Sequence, residues 1–306
     1  MMRYSKPYKA FLLSFWGVWC LSLGHAHPSF ALIITDQGDL LFADVLHNEG
    51  TIWKYSSEGK LTALLTGEHC HMIFADSRGV IWGTDHAYIE AIEGNENTLW
   101  RLDQTGKKEI IIAPTREPTE FSGVNFVLNR KNRLIFPHNG QLYQRDLQGA
   151  SSLLSSHQFG RIMSIQIDHQ DRLYIADNNT DNGSVYQLLP SGHLHQLTNK
   201  LLEKPPPNPP FEMEMHNMFL GMSVDDSGNV LLANIGSRRI SQITQDGTTA
   251  HIYHAEAPWF PVAALRKDGK LYVEEVGYQA GKGHLGPRIV LWDGKQKQII
   301  VEIPTP

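Results

Sequence analysis

Residues 219–247 read FLGMSVDDSGNVLLANIGSRRISQITQDG. Leu220 to Val224 alternate as a strand, and Asp225, Asp226, Ser227 and Gly228 supply a tight turn. Asn229 to Ala233 run apolar as a second strand. Asn234 to Arg238 form a polar loop, Ile240 and Ile243 mark a third strand, and Asp246-Gly247 turns the chain again. Strand-length runs bounded by Asp, Ser and Gly clusters are the hairpin pattern. One such sheet buries neither of its faces alone, so the unit has to recur.

It does. Gly38, Gly79 and Gly269 occupy the place of Gly228 in TDQGDLLFAD, DSRGVIWGTD and RKDGKLYVEE, while Asn132 and Asp171 stand there in NRKNRLIFPH and DHQDRLYIAD. Asn and Asp are the residues other than glycine that best tolerate positive φ. A second turn residue follows each first one: Gly59, Gly106, Gly149, Gly192, Gly247 and Gly294. Another β-prone run follows that, such as LTALLT, EIIIAP or QIIVEI. No segment reads as a long amphipathic helix. Six units at a period of roughly 45 residues predict an all-β chain, a six-bladed β-propeller with four antiparallel strands per blade.

The 306 residues are 41% hydrophobic and 19% charged, an ordinary globular composition. Residues 1–26 stand apart. Arg3, Lys6 and Lys9 make a basic start, Ala10 to Leu23 is apolar, and Gly24-His25-Ala26 is a small-x-small site. That is the pattern of a secretory signal peptide, with an apolar run shorter than the ~20 residues a membrane span needs. Residues 27–306 are then the propeller domain of a secreted or periplasmic protein, with no membrane span after cleavage. Loss of three basic residues makes the formal charge of −5 more negative still, which argues against a nucleic-acid partner. Of two cysteines only Cys70 remains, so no internal disulfide forms and stability rests on the core. The expected state is a monomer.

The alternation hGhxhDxxGNhhhAN at Phe219–Gly247 and Ile165–Gly192 resembles the NHL repeat. More loosely, the chain resembles the six-bladed superfamily of senescence marker protein-30 and gluconolactonase. The resemblance implies the fold; for activity it spans lactonases, lyases and pure binding modules. Lone Trp292-Asp293, without repeated Gly-His and Trp-Asp elements, disfavours WD40.

In such blades the loop entering each first strand and the loop leaving each second strand share one face, where function usually sits. The first strands are expected to start at Phe30, His71, Val124, Met163, Leu220 and Pro261. The second are expected to end at Asp44, Asp85, His138, Asp177, Asn234 and Glu275. A short carboxylate or amide there caps the following turn. Histidines gather on the same face, and Glu68-His69-Cys70-His71 places two of them on one side of a strand. The pair reads first as polar loop residues; with outside carboxylates it suits a divalent metal, zinc or calcium. His71 resembles the strand-start position where peptidyl-hydroxyglycine lyases carry metal histidines and lactonases a metal aspartate. The lactonase set fails elsewhere: Leu220 stands where its aspartate belongs, and Asn125 is the nearest survivor.

Two functions follow. The first is a module binding a small molecule or peptide through Asn125, Arg161, Asn234, Trp259 and Tyr278 around the polar ring. The second is a metal-assisted hydrolase or lyase. Its metal candidates are His69, His71, Asp85, His138, Asp177 and His216, and its candidate catalytic bases are Glu274 and Glu275. Glu203–Phe211 is expected to run as extended polyproline, His86–Asn97 and Val276–Pro287 as long loops, and Met213, Met215, His216 and Met218 as core.

Overall fold

A computed structural model of the protein describes residues 29–89, 94–103, 105–116, 121, 124–179, 181–202, 218–279 and 283–304. The leader, Glu203–Phe211, and Met213, Met215 and His216 lie outside the described residues. Blade 1 is β1 (Leu32–Ile34), β2 (Leu40–Asp44), β3 (Thr51–Tyr55) and β4 (Leu61–Thr66). Blade 2 is β5 (Ile73–Ala75), β6 (Ile81–Ile89), β7 (Gly94–Leu102) and β8 (Lys108–Thr115). Blade 3 is β9 (Val127–Leu128), β10 (Leu134–His138), β11 (Gln141–Arg145) and β12 (Ser151–Ser155). Blade 4 is β13 (Ile162–Ile167), β14 (Leu173–Asp177), β15 (Ser184–Leu188) and β16 (Leu194–Thr198). Blade 5 is β17 (Phe219–Val224), β18 (Val230–Asn234), β19 (Arg239–Ile243) and β20 (Thr249–His254). Blade 6 is β21 (Trp259–Lys267), β22 (Lys270–Gln279), β23 (Gly283–Trp292) and β24 (Lys297–Glu302). Each blade is one antiparallel sheet of consecutive strands, so the protein is a six-bladed β-propeller.

The turn chemistry is the one the repeat demands. Gly228 has φ 79°, and Asn132 and Asp171, which replace the glycine, have φ 55° and 59°. Asp225 fixes its turn by accepting hydrogen bonds from the Ser227 and Asn229 amides (3.0 and 2.9 Å). Asp168 and Asp76 repeat the device in blades 4 and 2.

Alternation along each strand sends side chains to the two blade faces, and apolar clusters fill the space between blades. Leu41, Ala43 and Ile52 of blade 1 pack on Ile81 and Trp100 of blade 2. A larger cluster joins Phe42, Trp82, Phe136, Ile175, Leu220 and Ile289, one from each blade. The first strands of blades 1, 2, 4, 5 and 6 line an axial channel of about 280 Å³. It extends from Phe30 and Met72 to Asp226, Arg266 and Lys267 at the opposite end.

Two stretches differ from expectation. His86–Asn97 and Val276–Pro287 are largely extended strand pairs rather than loops. The β6–β7 ladder continues from Asp85↔Thr98 to Ile89↔Gly94, and β22–β23 continues to Gln279↔Gly283. Apart from Val276, which is buried in the core, their residues lack apolar alternation. Cross-strand backbone bonding holds them without needing it.

Gly83 shows how tightly one layer is built. A Cβ there would lie 2.1 Å from Cζ2 of the fully buried Trp100. Gly83→Ala is expected to lower the unfolding free energy by about 1–3 kcal/mol, read from urea unfolding; unchanged stability would contradict this packing.

Candidate functional site

The polar ends of the second strands are spent on backbone. Asp85 accepts from the His69 amide (3.0 Å). Asp177, fully buried, accepts from the amides of Gly160 (2.7 Å), Arg161 (2.8 Å) and Asn179 (3.1 Å). Asn234 accepts from Ser237 and donates to the Leu201 carbonyl. Each ties the end of a second strand to a neighbouring loop, and for Asp85 and Asp177 that loop leads into the first strand of the same blade. These carboxylates therefore set the path of the loops on this face.

The loop so positioned in blade 2 carries the densest chemistry. The His69 and His71 rings lie 4.9 Å apart edge to face, and His86, at the top of β6, packs on His71 at 5.8 Å. Phe30 of blade 1 stacks on the other side of His71 at 6.2 Å. His71 is 4% exposed. Its backbone is pinned as well, since its carbonyl accepts from the Phe30 amide (3.3 Å) and the Ser29 hydroxyl donates to the Cys70 carbonyl (3.1 Å). The His86 Nδ1 donates to Asn97 Oδ1 (2.6 Å) across the β6–β7 pair, which fixes the orientation of the ring. Cys70 between the two histidines points into the core, where burial pushes its thiol up to about 12. It is a packing residue, not a nucleophile.

Other candidates stand apart from this cluster. His138 packs on Tyr143 (5.8 Å) and meets the Asn139 amide nitrogen (2.9 Å). Asn125 is buried; its Nδ2 donates to the Met163 carbonyl (2.9 Å), while its Oδ1 has no hydrogen-bond partner. Arg161 is exposed. Among the described residues no three His, Cys, Asp or Glu side chains surround a common point as metal ligands.

In blade 6 the two candidate bases are both fully buried. Glu275 holds Arg288 through Nε (2.8 Å) and Nη2 (2.7 Å) and accepts from the Tyr253 hydroxyl (2.6 Å). Arg288 lies 3.9 Å over the Trp259 ring. Burial, then the Glu275 charge, pushes the Tyr253 hydroxyl up. Glu274 points to the other face of β22, and neither of its oxygens has a hydrogen-bond partner. Tyr278 and His284 meet across β22 and β23 at 5.6 Å, and burial holds the His284 imidazole below its usual range. Trp259 thus covers a structural ion pair, and neither glutamate opens onto the surface.

His86 was legible only as one of several histidines on this face. What singles it out is its partner across a ladder that the sequence pattern did not reveal.

Neither the protein-family models nor the curated proteins contain a match to this sequence. Solved structures do match. Virginiamycin B lyase from Staphylococcus aureus superposes with a TM-score of 0.53 at 12% identity, covering 90% of this chain and 94% of that one. A streptogramin B lyase gives 0.56 at 14% over 91% and 84%. A putative gluconolactonase gives 0.56 at 14% over 81% and 87%. At these identities the likeness is one of fold: the chain has the six-bladed propeller architecture found in gluconolactonases and virginiamycin B lyase.

The buried ion pair gives a test of structure at this face. Arg288→Met leaves Glu275 charged in an apolar layer and is expected to cost about 3–5 kcal/mol in urea unfolding. A variant as stable as the parent would contradict the pairing.

Proposed function

We propose that this protein is an exported propeller that binds a small molecule or peptide on the face where the innermost strands begin. The observation that carries this reading is the ring-to-ring packing of His69, His71 and His86 at the inner end of blade 2. Imidazoles supply donors, acceptors and an apolar ring in one side chain, and near neutral pH a bound ligand can change their charge. Phe30 adds an aromatic wall, and Asn125 Oδ1 adds an acceptor that the fold leaves unused. Arg161, Trp259 and Tyr278 serve as the wider rim, with Asn234 shaping the loop beside it. Export rests on the basic, apolar and small-residue order of residues 1–26. The ligand is a small molecule or peptide rather than a nucleic acid, and the working form is a monomer.

A metal-assisted hydrolase or lyase is the second reading. It is favoured by His86, which is already oriented through Nδ1 by Asn97, as a ligating histidine is by an outer partner. The lyase and gluconolactonase relatives by fold are consistent with it. A metal held there would polarise a carbonyl or lower the pKa of water. A base other than Glu274 or Glu275 would be required.

Thermal-shift measurements against a panel of metabolites and dipeptides test the first reading. Compounds that stabilise the wild-type protein are expected to lose that effect in His71→Ala and His86→Ala and to keep it in His193→Ala. Equal stabilisation of all four proteins would contradict the site. Metal analysis of the purified protein separates the two readings. Metal at one per chain, lost in His71→Ala, selects the enzyme; metal-free wild type with ligand binding intact selects the binding module.

A further inference from the structure

Among the described residues the seam between blades 6 and 1 has no shared strand, and side chains bridge it. His47, in the loop after β2, makes part of that closure: its Nε2 meets the Pro304 carbonyl at 2.7 Å and its Nδ1 meets Asp44 Oδ2 at 2.5 Å. Asp44 is 3% exposed, and its oxygens are engaged by the Leu46 amide (2.8 Å), His47 and the Trp53 indole (3.2 Å).

Glu274 faces the same seam. Along β22, Leu271 and Val273 pack with blade 5, whereas Val276, two residues from Glu274 on its own face, belongs to the central core cluster with Leu32 and Phe42 of blade 1 and Ile303, and the charge that reaches Glu274 is that of Asp44 in blade 1. The cross-strand neighbours of Glu274 are Ala263 and Ile289. The side chain is 0% exposed, and both oxygens lack a hydrogen-bond partner.

The nearby cations are engaged elsewhere. Arg288 of β23 is turned to Glu275 on the opposite face, Arg266 of β21 to Gln242, and Lys54 of β3 to Asp39. Strand β1 brings Leu32, Ile33 and Ile34, none of them titratable. Asp44 is the charged group that acts on Glu274, and His47 beside it is committed to Asp44.

We propose that Glu274 is a proton-operated latch on ring closure. With its proton, it is a neutral group buried in the seam between the last and first blades. When that proton passes to solvent, a second negative charge stands beside Asp44 with no cation to answer it, and the seam loosens.

The sign of the effect follows. Burial, and then the Asp44 charge, holds the Glu274 carboxyl protonated well above the ordinary value of 4.5. A group raised in this way stabilises the fold fully below its unfolded value. That contribution is lost as pH rises through the folded value. The seam is therefore tightest in acid and weakens toward alkaline pH.

The test compares urea midpoints of wild type and Glu274→Gln from about pH 5 to about pH 9. The two midpoints are expected to lie together at the acid end and to separate as pH rises, with Glu274→Gln the more stable. Parallel profiles, or a Glu274→Gln protein less stable at every pH, would overturn the latch. Two readouts on the wild type serve should the variant not fold. The infrared carbonyl band of a protonated carboxylic acid is expected at neutral pH and is expected to fade on alkalinisation. Amide exchange in β1, β2 and β22, corrected for intrinsic rates, is expected to accelerate over the same range relative to β13 and β14. Absence of the band at neutral pH, or uniform exchange across the ring, would overturn it equally.

Discussion

A four-stranded blade cannot bury either of its faces, so each depends on a neighbour and the ring depends on its last contact. In many-stranded rings a shared strand can make that contact. Here each blade is built from consecutive strands, and among the described residues the join between β21–β24 and β1–β4 rests on side chains. Phe42, Val276, Ile289, Val301 and Ile303 form its apolar part, and His47 reaches across to the Pro304 carbonyl. The same seam contains the one carboxyl among the described residues with both oxygens buried and unpartnered, Glu274. A largely apolar seam that holds an unpartnered carboxyl near Asp44 and His47 is a place where solution conditions act on the whole ring.

Closure also fixes the candidate site. Blade 2 begins against blade 1, and the chain crosses between them through Glu68-His69-Cys70-His71. Cys70 anchors that crossing in the core, Ser29 and Phe30 bind its backbone, and Asp85 holds its entry. The histidines on either side of Cys70 are left at the inner end of the blade, where His86 joins them from the top of β6. The site is thus held from three strands and from two blades. This is the preorganisation that recognition requires. The rest of the polar ring works differently: Asp177 and Asn234 shape loops, and Glu275 secures the layer between blades 5 and 6 through Arg288 and Tyr253.

The architecture was legible in the sequence because turn chemistry is local. All twelve anchor residues, from Gly38 to Gly294, have positive φ, including Asn132 and Asp171 where glycine is replaced. The strand ends at Asp44, His138, Asp177 and Asn234 followed by counting from those turns. The extended hairpins of blades 2 and 6 were not legible, because backbone pairing imposes no side-chain pattern once the strands leave the core. Nor did the adjacent pair Glu274-Glu275 reveal its fate. Alternation sends one toward blade 5, to an arginine from β23, and the other toward blade 1, where among the described residues its oxygens find no hydrogen-bond partner. That difference depends on which blade lies on each side. The histidine pair was visible as a spacing; its third member needed the ladder that brings Asn97 opposite His86.

The proposed binding site lies at the start of the innermost strands of blade 2. The most direct measurement is a crystal structure of the protein with the most strongly stabilising small compound bound. The account predicts the compound against His71 and His86, beneath the raised β6–β7 hairpin. A compound seated at the other end of the axial channel, between Asp226, Arg266 and Lys267, would contradict it.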